Sequence, residues 1–98
     1  MNIQAMMKQA QKLQKDMMNA KDEIDNTEFE VTKSFVQVKA KGNKKIQSIK
    51  IDMESLEKDD VEVLEDLLQV AINELMDNID KETENKMGKY TQGMPGLF

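Results

Sequence analysis

Val36-Gln37-Val38-Lys39-Ala40-Lys41-Gly42-Asn43-Lys44-Lys45-Ile46-Gln47-Ser48-Ile49-Lys50-Ile51-Asp52 alternates apolar and polar side chains on both sides of a Gly-Asn pair. A period of two puts Val36, Val38 and Ala40 on one face of an extended chain, and Phe35, Gln37, Lys39 and Lys41 on the other. Gly42-Asn43 can take the positive φ of a two-residue hairpin turn. Lys44 to Asp52 then resumes the strand pattern with Ile49 and Ile51 on one face. Ile46 is out of phase, which predicts either a bulge or a strand end that also meets apolar surface. Upstream, Phe29 and Val31 alternate with Glu28, Glu30 and Thr32, so an earlier strand starts near Thr27. Its turn into the next strand, near Lys33-Ser34, has neither Gly nor Pro.

Helical periodicity flanks these three strands. Ile3, Met6, Ala10, Leu13, Met17, Ala20 and Ile24 recur at spacings of three and four with no Gly or Pro between them, which predicts a helix over residues 2–25. At about 1.5 Å per residue it would be a rod of roughly 36 Å, longer than so small a chain can cover, so part of its seam calls for a partner subunit. A second helix is expected to begin near Asp59 or Asp60, where Asp59-x-x-Glu62 matches a capping box, and to run to about Lys86. Its seam is Val61, Leu64, Leu68, Ala71, Leu75 and Ile79. Val63, Leu67, Val70, Ile72 and Met76 widen the apolar arc enough to serve a second surface. Residues 88–98, with three Gly and the only Pro, read as a flexible tail after a single domain at residues 1–87.

The order helix-strand-strand-strand-helix is an α+β arrangement: a small antiparallel sheet with two long helices. Ninety-eight residues leave room for one core. With four aromatic residues, that core relies on Leu, Ile, Val and the nine Met. Met6, Met7, Met17 and Met18 read as packing or dimer residues, or as a peptide-binding stripe. Cys, His, Arg and Trp are absent, which excludes thiolate nucleophiles, imidazole bases, Cys/His metal sites and disulfides. No Gly-rich phosphate loop and no metal-ligand spacing is present, and Asp59-Asp60 and Glu65-Asp66 point in different directions on a helix. The expectation is a protein that is not an enzyme, with no catalytic residue, metal, cofactor or small-molecule substrate. Met1 to Ala20 carries Lys8, Lys12 and Lys15 through its middle, and no apolar run approaches the ~20 residues of a membrane span. A soluble, intracellular protein is expected.

The net charge of −5 conceals a strong asymmetry. Residues 1–21 hold four Lys and one acid, residues 31–51 six Lys and no acid, and residues 52–87 three Lys against thirteen acids. Lys8, Lys12 and Lys15 fall at i, i+4 and i+7, a basic ridge set off from the Ile3 to Ile24 seam. Two readings fit this ridge: a solvated face, or phosphate contacts doubled by a two-fold dimer. Lys39, Lys41, Lys44 and Lys45 form a second candidate surface, and they also fit a guard on exposed strand edges. Without Arg there is no bidentate guanidinium for guanine, so any nucleic-acid contact should be to the backbone, with weak sequence preference.

Met7-Lys8-Gln9-Ala10-Gln11-Lys12-Leu13-Gln14 resembles the YbaB/EbfC family of bacterial nucleoid-associated proteins. Ile51-Asp52 leading to Leu56, then Asp59-Asp60, Leu64-Glu65-Asp66-Leu67 and Ala71-x-Asn73 has that family's spacing, and Gly93-Met94-Pro95-Gly96 looks like its tail. The resemblance implies an intertwined homodimer with projecting helices, DNA binding in the cytoplasm at the nucleoid, and no enzymatic activity. The chain departs from the family at Val31-Thr32-Lys33-Ser34-Phe35, which lacks the usual Gly-rich turn. It departs again at Gln47-Ser48 and Asp77-Asn78-Ile79-Asp80, where basic residues are common. Two long helices flanking a hairpin also describe a prefoldin-like holdase or a coiled-coil interaction adaptor.

Overall fold

The computed structural model describes residues 2–91. Helix α1 (Ile3–Asn26) is followed by strands β1 (Glu28–Lys33), β2 (Val36–Lys41) and β3 (Ile46–Ile51), then helix α2 (Lys58–Thr91). The sheet is antiparallel in the order β1-β2-β3.

Helix α1 starts where the side chain of Asn2 accepts a hydrogen bond from the Ala5 amide at 3.3 Å. It stops where Thr27 turns extended, its hydroxyl donating to the Glu23 carbonyl at 2.6 Å. Helix α2 is capped two residues earlier than the Asp59-x-x-Glu62 box suggests. The Asp60 carboxylate accepts from the Glu57 amide at 2.9 Å, while the Asp60 amide donates back to the Glu57 carbonyl at 3.0 Å. Asp59 and Asp60 in the first turn complement the positive helix N-terminus. The helix runs through Gly88 to Thr91, past the expected stop at Lys86. The rest of the expected tail, with Gly93-Met94-Pro95-Gly96, lies outside the described residues.

Register explains the core. Phe29 opposes Ala40, Val31 opposes Val38, and Lys33 opposes Val36 across β1 and β2. On the other side of β2, Val36, Val38 and Ala40 oppose Ile51, Ile49 and Ile46. Directly opposed residues share a face, so these side chains form one apolar surface, with Lys33 at its end ion-paired to Glu74 of α2 at 2.6 Å. Helix α2 packs on it over β1 and β2, burying Ala71, Leu75 and Ile79 against Val31, Val36, Val38 and Ala40. The phase break at Ile46 is a bulge: Lys39 pairs with Ser48 but Ala40 with Ile46, leaving Gln47 as the extra residue.

Both turns correct the local reading. In the β2–β3 turn the positive φ, 68°, belongs to Lys44 and not to Gly42-Asn43. The Lys44 amide donates to the Lys41 carbonyl at 2.8 Å, the Lys41 amide donates to the Lys45 carbonyl at 3.2 Å, and Asn43 Oδ1 accepts from the Lys45 amide at 3.0 Å. β3 therefore begins at Ile46. The β1–β2 turn is the two-residue Ser34-Phe35, with Ser34 at φ 53°.

Candidate nucleic-acid interface

Helix α1 grades from buried to bare along its own seam. Ile24 is 0% exposed, Met17 and Ala20 are half-buried, Leu13 is 51% exposed and Ile3 69%. Its C-terminal half packs on α2, where Lys86 reaches Glu23 at 3.6 Å, and touches β2. Residues 2–16 are exposed throughout and extend away from the body of a molecule 72 Å long.

Lys8, Lys12 and Lys15 stand on this projecting half. At 100° per residue they fall within one narrow arc, on the side of the helix away from the Ile3 to Ile24 seam. All three are exposed, and among the described residues none is ion-paired, although Asp16 lies one turn from Lys12. Ten of the thirteen acids of residues 52–87 belong to α2, which packs on the sheet through Leu64, Leu67, Leu68, Ala71, Leu75 and Ile79.

The second lysine group is arranged differently. Lys39 and Lys41 lie on the sheet face opposite α2, and β1 brings Glu30 and Glu28 directly across from them. Lys39 Nζ lies 3.7 Å from Glu28 and 4.0 Å from Glu30, and Gln37 hydrogen-bonds Glu30. At the hairpin tip Lys44 Nζ meets Asp80 of α2 at 2.5 Å. Lys41 and Lys45 make no ion pair among the described residues. The acid-free run 31–51 is thus interleaved in space with carboxylates from elsewhere in the chain. The missed signal was the β1 alternation, which places Glu28 and Glu30 on the same face as the lysines. These pairs are exposed and contribute little stability, but they lower the local positive potential.

Among the described residues no group of acidic side chains is arranged to hold a metal ion, and no helix is long and apolar enough to cross a membrane.

The YbaB/EbfC DNA-binding family matches residues 1–94. The chain belongs to this family. This YbaB/EbfC chain is 46% identical over 99 aligned positions to a nucleoid-associated protein of Ligilactobacillus salivarius, covering 99% of this chain and 95% of that protein. It is 41% identical to a nucleoid-associated protein of Lactococcus lactis subsp. cremoris, covering 97% of this chain and 98% of the relative. A nucleoid-associated protein of Enterococcus faecalis is 40% identical, with 98% and 94% covered. Membership of the YbaB/EbfC family favours the DNA-binding alternative over the holdase and adaptor readings that the helix pattern left open.

Proposed function

We propose that this chain is a homodimeric DNA-binding protein of the bacterial nucleoid, in the cytoplasm, and that it acts by binding duplex backbone and not by catalysis. The observation that carries the reading is the ridge of Lys8, Lys12 and Lys15 on a helix half that is exposed all round, with Asp16 as its one acidic residue and no ion pair made by the three lysines among the described residues. Family membership supports DNA as the partner. A two-fold dimer doubles the ridge. Each ammonium neutralises a phosphate and releases condensed counterions, which gives affinity without base readout. The lack of Arg agrees with weak sequence preference. Lys39, Lys41, Lys44 and Lys45 form a secondary surface at most, since Lys39 and Lys44 already face carboxylates.

A mobility-shift titration of duplex DNA with the K8E/K12E/K15E variant tests the assignment. Loss of the shift at low salt is the expected result. Unchanged affinity would remove the ridge from the mechanism.

A further inference from the structure

We infer that residues 92–98 return along helix α1 as a strap, laying Met94, Leu97 and Phe98 into a groove on its projecting half.

Helix α2 ends beside the middle of α1. The two run antiparallel: Lys86 reaches Glu23, and one turn further on Lys89 and Tyr90 share a cavity of about 480 Å³ with Asp16, Asn19 and Ala20. Asp16 also lines a second cavity, of about 550 Å³, whose other walls are Met6, Gln9, Ala10, Lys12 and Leu13. The two cavities are joined at Asp16, which gives a chain leaving α2 at Thr91 an unbroken path onto the bare half of α1. Met6 and Leu13 there are 52% and 51% exposed. Among the described residues, no strand or helix covers this stretch. An uncovered apolar groove of this kind marks a docking surface.

Length and chemistry fit the segment to the groove. Gln92 to Phe98 is seven residues, roughly 23 Å when extended. Asp16 lies thirteen residues after Ile3, roughly 20 Å along the helix. Met94 then falls near Ala10 and Leu13, and Leu97 and Phe98 near Met6 and Ile3. Pro95 lacks the amide that a continuing helix needs and favours an extended path. The segment carries no charged side chain, which suits a groove floored by Met6, Gln9, Ala10 and Leu13. Tethering holds it there at an effective concentration of order millimolar, which a partner in free solution must exceed. Lys8 and Lys15 stand on the other side of the helix, so the strap leaves them open to DNA.

The docked segment opens without unfolding of the core, so local protection is the readout. In hydrogen–deuterium exchange of the full chain, L97S/F98S should speed exchange of the amides at residues 6–13 about tenfold and leave those at residues 71–79 unchanged. The chain has no native cysteine, so Ala10→Cys combined with Met94→Cys should close a disulfide within one chain under mild oxidation, read as loss of both thiols at monomer mass in denaturant. Unchanged exchange at residues 6–13 overturns the strap. A double-cysteine chain that keeps its thiols, or that links to a second chain instead, overturns it as well.

Discussion

Gly42 lies so close to the end of α1 that a Cβ built on it would come within 1.8 Å of the Ile24 carbonyl oxygen and 2.8 Å of the Ile24 side chain. The Gly42 amide also donates to the Thr27 carbonyl at 3.0 Å. The hairpin tip is therefore pinned against the helix terminus, with the fully buried Ile24 as the wedge. The clash involves backbone atoms, which cannot move without opening this contact. Gly42→Ala should destabilise the chain by about 2 to 3 kcal/mol, read as a lower urea midpoint. A loss below about 0.5 kcal/mol would mean that the helix terminus shifts freely.

Ser34 offers the opposite case. It holds φ 53° at the first of two central turn residues, where a two-residue hairpin turn favours glycine. A side chain there strains the backbone, and Ser34 is exposed, so its removal sacrifices no packing. Ser34→Gly should stabilise by about 1 kcal/mol, net of the entropy glycine adds to the unfolded chain. Thermal or urea unfolding reads the sign directly.

The two ends of the molecule should respond unequally to side-chain truncation. Leu75 is fully buried within the cluster of Val31, Val36, Val38, Ala40, Ala71 and Ile79. Leu75→Ala should cost about 2 to 5 kcal/mol from lost transfer free energy and the cavity left behind. Leu13 sits on the bare half of α1, so Leu13→Ala should change unfolding free energy by no more than about 0.5 kcal/mol. Equal effects would mean that the α1 seam is packed in solution.

Local periodicity carried most of the architecture. The heptad from Ile3 to Ile24 marked α1 within a residue, the alternation around Val36 to Ala40 marked the buried strand, and the phase of Ile46 anticipated the bulge at Gln47. Long-range effects were hidden. Gly42 looked like a source of positive φ, whereas it is needed for close approach to a helix 18 positions earlier, and the positive φ fell on Lys44. Gly88 looked like a stop. Nothing lies within 4 Å of a Cβ placed there, and α2 absorbs the roughly 1 kcal/mol cost of one glycine. In the same way, counting charge along residues 31–51 could not reveal that Glu28, Glu30 and Asp80 approach Lys39 and Lys44 through sheet register and packing.

That difference separates the two lysine groups in a salt titration. Affinity through phosphate contacts falls linearly in log-log form with salt, and the slope counts the neutralised phosphates. Replacing one ridge lysine, Lys12→Gln, should weaken duplex binding and reduce the slope by about 1 per contact removed, or by about 2 in a dimer whose two ridges both engage. Lys39→Gln should leave the slope unchanged, because its ammonium already lies between Glu28 and Glu30. Mobility shifts of one duplex at several salt concentrations measure both variants against the native chain. A larger slope change for Lys39→Gln than for Lys12→Gln would move the DNA contact from the projecting helix to the open sheet face.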